Sequence, residues 1–379
     1  MMDTLFRIWF LILMLIAGAW IYRCWRLLRT ILLAPVLSPF KDKEPAPEPP
    51  LVSIIIPAKN EEKNIRCCVE KLLAQDYPRF ELIAVNDNST DQTESILKAL
   101  GTVYVNAPPT PPGWTGKNFA IHSGLLKAKG SWLLFTDADT RHEKTSLSAA
   151  IHYARSERIQ LLTLLPRCLM GSFMEYMIQP FAMAMLGLWF PIEKINSPDS
   201  PLFFANGQYL LIDRSLYEKM GGHESVRGEF LEDFALMKKA KALKAPVCCA
   251  LGMELYGTRM YDSLTAIWRG WRRIYLHACR TRPVPLICKS LGVFFLSVLP
   301  FLSLGILAAF PGIRAASPIL YPLNLGILIL ILGISWGGYG IIRAKKAYTF
   351  FHPFAAFVLS LILADAAWKG LTKQKTVWR

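Results

Sequence analysis

The chain has 379 residues, 53% of them hydrophobic, and its 43 Lys and Arg against 28 Asp and Glu give a formal net charge of +15. That apolar content excludes an ordinary soluble protein and a disordered one, and the length accommodates one large domain together with membrane segments. The positive charge predicts attraction to anionic lipid headgroups and an anionic substrate; no basic repeat or RNA-binding motif accompanies it, so nucleic acid is not an expected partner.

In chain order, the nearly charge-free run Ile8 to Tyr22 comes first and predicts a membrane helix. A secretory signal would also be apolar, but Cys24-Trp25-Arg26 and the neighbouring arginines offer no small-residue cleavage site, so residues 1–35 read as an uncleaved anchor with a basic flank. Arg23, Arg26, Arg29, Lys41 and Lys43 follow the run and only Arg7 precedes it, which by the positive-inside rule places the next domain in the cytoplasm. Residues 36–50 carry Pro45, Pro47, Pro49 and Pro50 and predict an extended linker.

A domain over residues 51–280 is expected next. Leu51 to Pro57 is a buried-strand run, Glu61 to Gln75 has helical spacing, Glu81 to Val85 is a second strand, and Asp91 to Leu100 a second helix. Thr102 to Val105, a helix from Lys117 to Lys129 and the strand Trp132 to Thr136 follow, so strands alternate with helices as in a mostly parallel, doubly wound α/β sheet. Ligands bind such sheets at the carboxyl ends of the strands, where three polar clusters fall: Pro57 to Glu61, Asn86 to Asp91, and Thr136 to Asp139. In the last, Asp137 and Asp139 stand at i and i+2, pointing the same way on an extended backbone, and they repel unless a cation, proton or ligand intervenes. Turn chemistry is the plain alternative there. Ser89, Thr90 and Asp91 also read as a helix cap.

Cys168 to Phe190, rich in Met and aromatics but broken by Glu175 and Pro180, is expected to be an interfacial, acceptor-side element; composition fits an internal core helix equally well. Within residues 281–367, the runs Ser290 to Phe310, Ile319 to Ile342 and Phe350 to Ala364 are further membrane candidates, the last the shortest. Three crossings would put the basic tail, residues 368–379, opposite the central domain; a cytoplasmic tail is expected instead, with one run not spanning or re-entrant. The eight cysteines, with adjacent pairs at 67–68 and 248–249, show no metal spacing and suit a reducing compartment.

The stretches Ile54 to Glu62 (IIIPAKNEE), Val85 to Thr93 (VNDNSTDQT), Gly113 to Asn118 (GWTGKN), Phe135 to Thr140 (FTDADT) and Phe230 to Leu236 (FLEDFAL) resemble, in order, the family 2 glycosyltransferases of GT-A fold. Gly113 to Lys117, Asn206-Gly207-Gln208, Gly221-Gly222-His223, Arg259-Met260-Tyr261 and the flanking apolar helices look like the membrane enzymes that glycosylate carotenoids and their hopanoid-associated relatives. The resemblance implies a Rossmann-like nucleotide-sugar domain, inversion at the anomeric carbon and an integral protein of the bacterial cell membrane. It implies transfer of a hexose, glucose by expectation, from a donor such as UDP-glucose to a lipid acceptor such as a carotenoid or hopanoid.

By the same resemblance Asp139 ligates Mg²⁺ or Mn²⁺, with Asp137 sharing the ion or facing the ribose. Asp87 reads the base, and Pro57, Ala58 and Glu61 line the nucleoside pocket. Lys117, opening a helix beside Gly116, meets phosphate or sugar, or is an ordinary exposed helix lysine. Asp233 matches the catalytic base of an inverting transfer, the alternative being that Glu232 and Asp233 merely complement a helix dipole. Glu232 and Trp271 are the acceptor-side candidates. The chain departs from the family in having Asn86-Asp87 where many relatives have Asp-Asp. It also lacks a Gln-x-x-Arg-Trp motif, Ala266 to Arg273 standing there, which disfavours a polysaccharide synthase. An inactive membrane scaffold is the remaining alternative.

Overall fold

The computed structural model describes residues 2–39, 48–279 and 281–372; Lys41, Lys43 and the tail from residue 373 lie outside the described residues. The chain divides into two units. An α/β unit takes the described residues within 33–169 and 190–260, and a helical unit takes those within 2–32, 170–189 and 261–372. Residues 170–189 and 261–279 thus group with the helical unit, although the sequence expectation ran one domain through residues 51–280.

The α/β unit carries β1 (Val52–Ala58), β2 (Phe80–Asn86), β3 (Val103–Asn106), β4 (Trp132–Phe135), β5 (Thr140–His142), β6 (Leu161–Leu165), β7 (Arg167–Cys168), β8 (Leu210–Asp213), β9 (Val247–Leu251) and β10 (Tyr256–Thr258). Seven of these form one sheet in the order β3-β2-β1-β4-β8-β6-β9, and the others form a small sheet, β5-β10-β7. β1 reads as a continuous apolar run because helices cover both of its faces. Ile54 and Ile56 pack with Val69, Leu72 and Leu97 on one side, while Ile55 packs with Ile83, Val85 and Ile121 on the other. Each fully buried isoleucine contributes about 1.5–3 kcal/mol. Gly124 lets the helix Gly116–Leu125 approach this sheet closely, since a Cβ there would stand 2.6 Å from Val85 Cγ2.

β8 is antiparallel to both of its neighbours, β4 and β6, pairing Phe135 with Leu210 and Leu161 with Ile212. Its reversed direction puts the residues preceding Leu210 at the rim where β1, β2 and β4 end. At the far edge the chain after the first helix joins the sheet: Leu37 N donates to Leu251 O at 2.8 Å and Leu251 N to Pro35 O at 2.8 Å.

In the helical unit, four helices are long and apolar enough to cross a membrane: Thr4–Leu33, Pro283–Ala309, Leu320–Ile341 and Lys346–Thr372. The last is longer than its apolar run suggested, because Asp365 does not end it. Its carboxylate accepts from Trp268 Nε1 at 2.7 Å and Arg272 Nη1 at 2.9 Å, both on the helix Leu264–Ala278. Helix Phe173–Trp189 buries Glu175, Met177, Ile178, Gln179, Pro180, Phe181, Ala182 and Met185 within the same unit, while Phe173 at its start is 44% exposed. All eight cysteines are free thiols.

Candidate active site

The rim of the seven-stranded sheet is built by the loops after β1, β2 and β4, and the first two are stitched together. Asn60 N donates to Ser89 Oγ (3.0 Å), Thr90 N to Asn60 Oδ1 (2.8 Å), Glu61 N to Thr93 Oγ1 (2.8 Å) and Glu62 N to Asp91 Oδ2 (3.1 Å). Asn60 and Asn88 hold φ of 55° and 51°, a left-handed conformation that asparagine tolerates better than most residues. Asp91 also accepts from Thr93 N at 2.9 Å and so tethers the helix start, but the N-cap of the helix Thr93–Ala99 is Gln92, without a side-chain cap bond, and not Ser89, Thr90 or Asp91. Between these loops Asp87 is 2% exposed; among the described residues its oxygens meet only Lys59 Nζ and Asn88 Nδ2, each at the long distance of 3.4 Å. Pro57 and Ala58 close β1 beside it, Ala58 O accepting from Asp87 N at 2.8 Å.

The loop after β4 is braced from below. Thr136 Oγ1 donates to Gln208 O at 2.8 Å, Thr140 Oγ1 donates to Asp137 O at 2.7 Å, and both hydroxyls lie 3.0 Å from His142 Nε2. His142 is sealed against Tyr256 and Tyr209, and burial lowers its pKa to about 3, so it serves as a neutral brace.

Lys117 is the centre of the rim. Its Nζ lies 2.8 Å from Asp137 Oδ1 and 2.7 Å from Glu232 Oε1, with the lysine side chain only 10% exposed. Burial opposes its charge, but Asp137, Glu232 and Asp233 together outweigh that and hold the ammonium above its ordinary range. The structure therefore brings together Lys117, Asp137, Glu232 and Asp233, and Lys117 is a buried hub here, not an exposed helix lysine. Asp233 sits in the first turn of the helix Glu232–Ala242. Its Oδ2 accepts from Gly207 N at 2.7 Å and its Oδ1 from Phe234 N at 2.8 Å. Burial, and then the neighbouring Glu232, push its pKa up to about 7 against the opposing pull of Lys117 and the two N–H donors.

Two residues at this rim carried no role in the sequence reading. Gly207, in the turn before β8, faces the charged cluster so closely that a Cβ would stand 3.2 Å from Lys117 Nζ and 3.3 Å from Asp233 Oδ2. Its Asn-Gly dipeptide was the available signal, marking a turn but not its place. Asn118 is fully buried and its Nδ2 faces Val226 O (2.8 Å), Glu229 O (3.0 Å) and Arg227 O (3.2 Å), which anchors the loop leading into Glu232. Asn118→Ala leaves these carbonyls short of a donor, and a loss of about 1–3 kcal/mol is expected; chemical denaturation of the variant beside the parent measures it.

Whether a divalent cation suits this rim is decided by donor chemistry. Asp139 is half-buried, and its Oδ1 is shielded without a hydrogen-bond partner. Burial first, and then Asp137 and Glu61, raise its pKa to about 8. Burial also raises that of Glu61, against the hydrogen bond from Asn64. An orphaned carboxylate oxygen beside a second carboxylate fits a hard cation. Among the described residues no group of three or more His, Cys, Asp or Glu converges as a metal cage. Two carboxylates are a donor set that a divalent cation can use when phosphate oxygens and water complete its shell. Trp271 belongs to the helical unit, where it is 2% exposed and stacked on Tyr275.

Residues 53–221 match the family model for glycosyl transferase family 2. Over that stretch the chain is similar to this family. The 4,4'-diaponeurosporenoate glycosyltransferase of Staphylococcus aureus (strain MRSA252) is 29% identical over 227 residues, covering 59% of this chain and 60% of that protein. A protein of the same name from Staphylococcus haemolyticus (strain JCSC1435) is 28% identical over 239 residues, 61% of this chain and 63% of its own. The chain thus matches about three fifths of the length of these relatives. Among solved structures, the mannosyltransferase PcManGT from Pyrobaculum calidifontis, in complex with GDP-Man and Mn²⁺, aligns over 96% of this chain and 99% of its own with a TM-score of 0.52 at 19% identity. The α/β unit therefore has the GT-A fold, in a chain that also carries helices long and apolar enough for a membrane.

Proposed function

We propose that this protein is an inverting glycosyltransferase that moves a hexose from a nucleoside diphosphate sugar to a lipid. The observation that carries the reading is the convergence of Asp233, Glu232, Lys117 and Asp137 at the carboxyl rim of the sheet, with Asp139 beside them. Such a rim offers donor-side and acceptor-side chemistry at once. Asp87, with Pro57, Ala58 and Glu61, is assigned to the nucleoside. Lys117 is assigned to the departing diphosphate, whose negative charge grows as the sugar leaves. Asp137 and Asp139 would hold Mg²⁺ or Mn²⁺, which when bound neutralises that leaving group.

Asp233 is assigned as the base. Two backbone N–H groups hold its carboxylate in one orientation, and it accepts the proton of the acceptor hydroxyl while the acceptor oxygen bonds to the anomeric carbon and the sugar–phosphate bond breaks on the opposite face. A carboxylate acceptor group would need no such base. The names of the Staphylococcus relatives and the four apolar helices support a lipid acceptor, a carotenoid or hopanoid being the class to test first, with UDP-glucose as the first donor. Membrane insertion with the rim in the cytoplasm, where nucleotide sugars are made available, completes the reading.

Incubating membranes that contain the protein with a radiolabelled nucleotide sugar and resolving the extracted lipids tests this reading directly. The pH profile tests the base. Asp233 must be ionised to act, and its carboxyl titrates near 7, so kcat/KM is expected to rise about tenfold per pH unit below 7 and to level off above it. A profile flat from pH 5 to 8 would remove Asp233 from the role.

A further inference from the structure

The last apolar helix, Lys346–Thr372, is long enough to cross a bilayer, but its neighbours in the helical unit carry it past the level at which the other helices do so. The segment Pro283–Ala309 serves as a ruler. Trp9 Nε1 of the first helix donates to Ser303 Oγ at 2.9 Å, and further along the ruler Trp20 Nε1 donates to Leu296 O at 2.7 Å. The last helix begins at this second mark, where the His352 ring lies 5.5 Å from that of Trp20 and 6.1 Å from that of Phe301. From there it leads away from Trp9: Ser290 Oγ donates to Ser360 O at 2.7 Å, and a Cβ on Gly370 would stand 2.9 Å from Thr281 O. Helix Leu320–Ile341 reaches the same mark near its end, Ser335 Oγ lying 2.8 Å from His352 Nδ1, after its Ile327 and Ile331 have packed with Leu13, Ile16 and Leu307. Leu359, Ile362 and Leu363 of the last helix cluster instead with Leu286, Trp271 and Tyr275. The last helix thus runs onward from Leu320–Ile341 and does not fold back beside it.

Charge separates the two levels. Residues 8–22, 296–313 and 315–342 contain no Asp, Glu, Lys or Arg, as hydrocarbon demands. Beside the last helix stand Lys289, whose Nζ is 4.0 Å from the Trp189 ring centroid, and Arg272, paired with Asp365 at 2.9 Å. At its start Lys345 Nζ lies 4.8 Å from the Tyr176 ring centroid and Lys346 Nζ 5.7 Å from that of Trp336, the basic and aromatic company found at headgroup depth. The outward face is nevertheless apolar: Phe350, Phe354, Phe357, Leu361, Trp368 and Leu371 recur at helical spacing and are 42–65% exposed. An ion-paired inner face and an apolar outer stripe are the division of a helix lying in an interface.

We propose that the last helix is a membrane-surface element and not a fourth crossing: it docks on the face of the bilayer where Leu320–Ile341 emerges, with the stripe from Phe350 to Leu371 sunk among the phospholipids of that leaflet alone. Its partner is the boundary between headgroups and acyl chains, which takes the aromatic stripe while Lys345 and Lys346 stay among the headgroups. Residues 343–346 and the C-terminus then share one side of the membrane, the side of Arg23, Arg26 and Arg29, and the turn around Gly312 is on the other. This placement is independent of the sugar and of the acceptor.

The test uses the unmodified full chain in sealed membrane vesicles of the two opposite orientations, treated with a membrane-impermeant amine reagent and mapped by peptide mass. Lys345 and Lys346 before the helix and Lys373 and Lys375 after it are expected to be labelled together in one orientation and to lose label together in the other. Label on the two pairs in opposite orientations would show a crossing between them and overturn the proposal. A second measurement reads the lipid contact: p-benzoylphenylalanine in place of Phe354, irradiated in phospholipid nanodiscs, is expected to form phospholipid adducts. Adducts to protein or water alone would remove the leaflet as the partner; if that variant fails to accumulate, the lysine labelling of the parent chain decides the proposal.

Discussion

Asp233→Asn is expected to lower turnover about 10²- to 10⁴-fold, the range lost with a positioned general base, while donor binding stays nearly unchanged. Asparagine keeps the shape of the side chain and can still accept through Oδ1, but it takes no proton from the acceptor. The fold is expected to survive, because the change also removes a charge that burial and Glu232 already disfavour. Single-turnover transfer and calorimetric donor titration separate the two effects. A variant as active as the parent would return Asp233 to a helix-end acid, the alternative that the sequence left open.

The second large effect belongs to Lys117. Replacing it by methionine keeps the stem and removes the cation shared by Asp137 and Glu232. Breaking a buried ion pair from one side typically costs about 3–5 kcal/mol, because the remaining charge is left uncompensated. Lys117→Met is therefore expected to lose stability on that scale, and Lys117→Met with Glu232→Gln to recover part of it. Denaturant midpoints of the two singles and the double complete the cycle. If Lys117→Met alone is as stable as the parent, the hub is not holding the rim together.

The first half of the sheet was legible in the sequence because its strands are apolar runs bounded by turn chemistry, and because parallel strands leave their polar ends on one edge. β1, β2, β3 and β4 fall where the runs do, within one or two residues. The reversal at β8 was not legible: Leu210 to Asp213 has no feature that distinguishes an antiparallel strand from a parallel one. That reversal is what delivers Gly207 to Asp233, so the brace on Asp233 was hidden with it. The partner of Glu232 was not legible either, because adjacent acids at a helix start carry no record of which lysine they meet, and Lys117 lies far earlier in the chain. The stacking of the Trp271 indole on Tyr275 within the helical unit was likewise not legible. The final helix continues past the run Phe350 to Ala364, and the distant Trp268 and Arg272 make Asp365 tolerable within it.

The most direct test of transfer to a lipid is to incubate membranes carrying the protein with UDP-[14C]glucose, extract the lipids and determine the mass of the labelled product. A labelled lipid one hexose heavier than its precursor, absent with Asp233→Asn, is the expected result. Label confined to long polymer or to free glucose, or a lipid product that persists in Asp233→Asn, would contradict it.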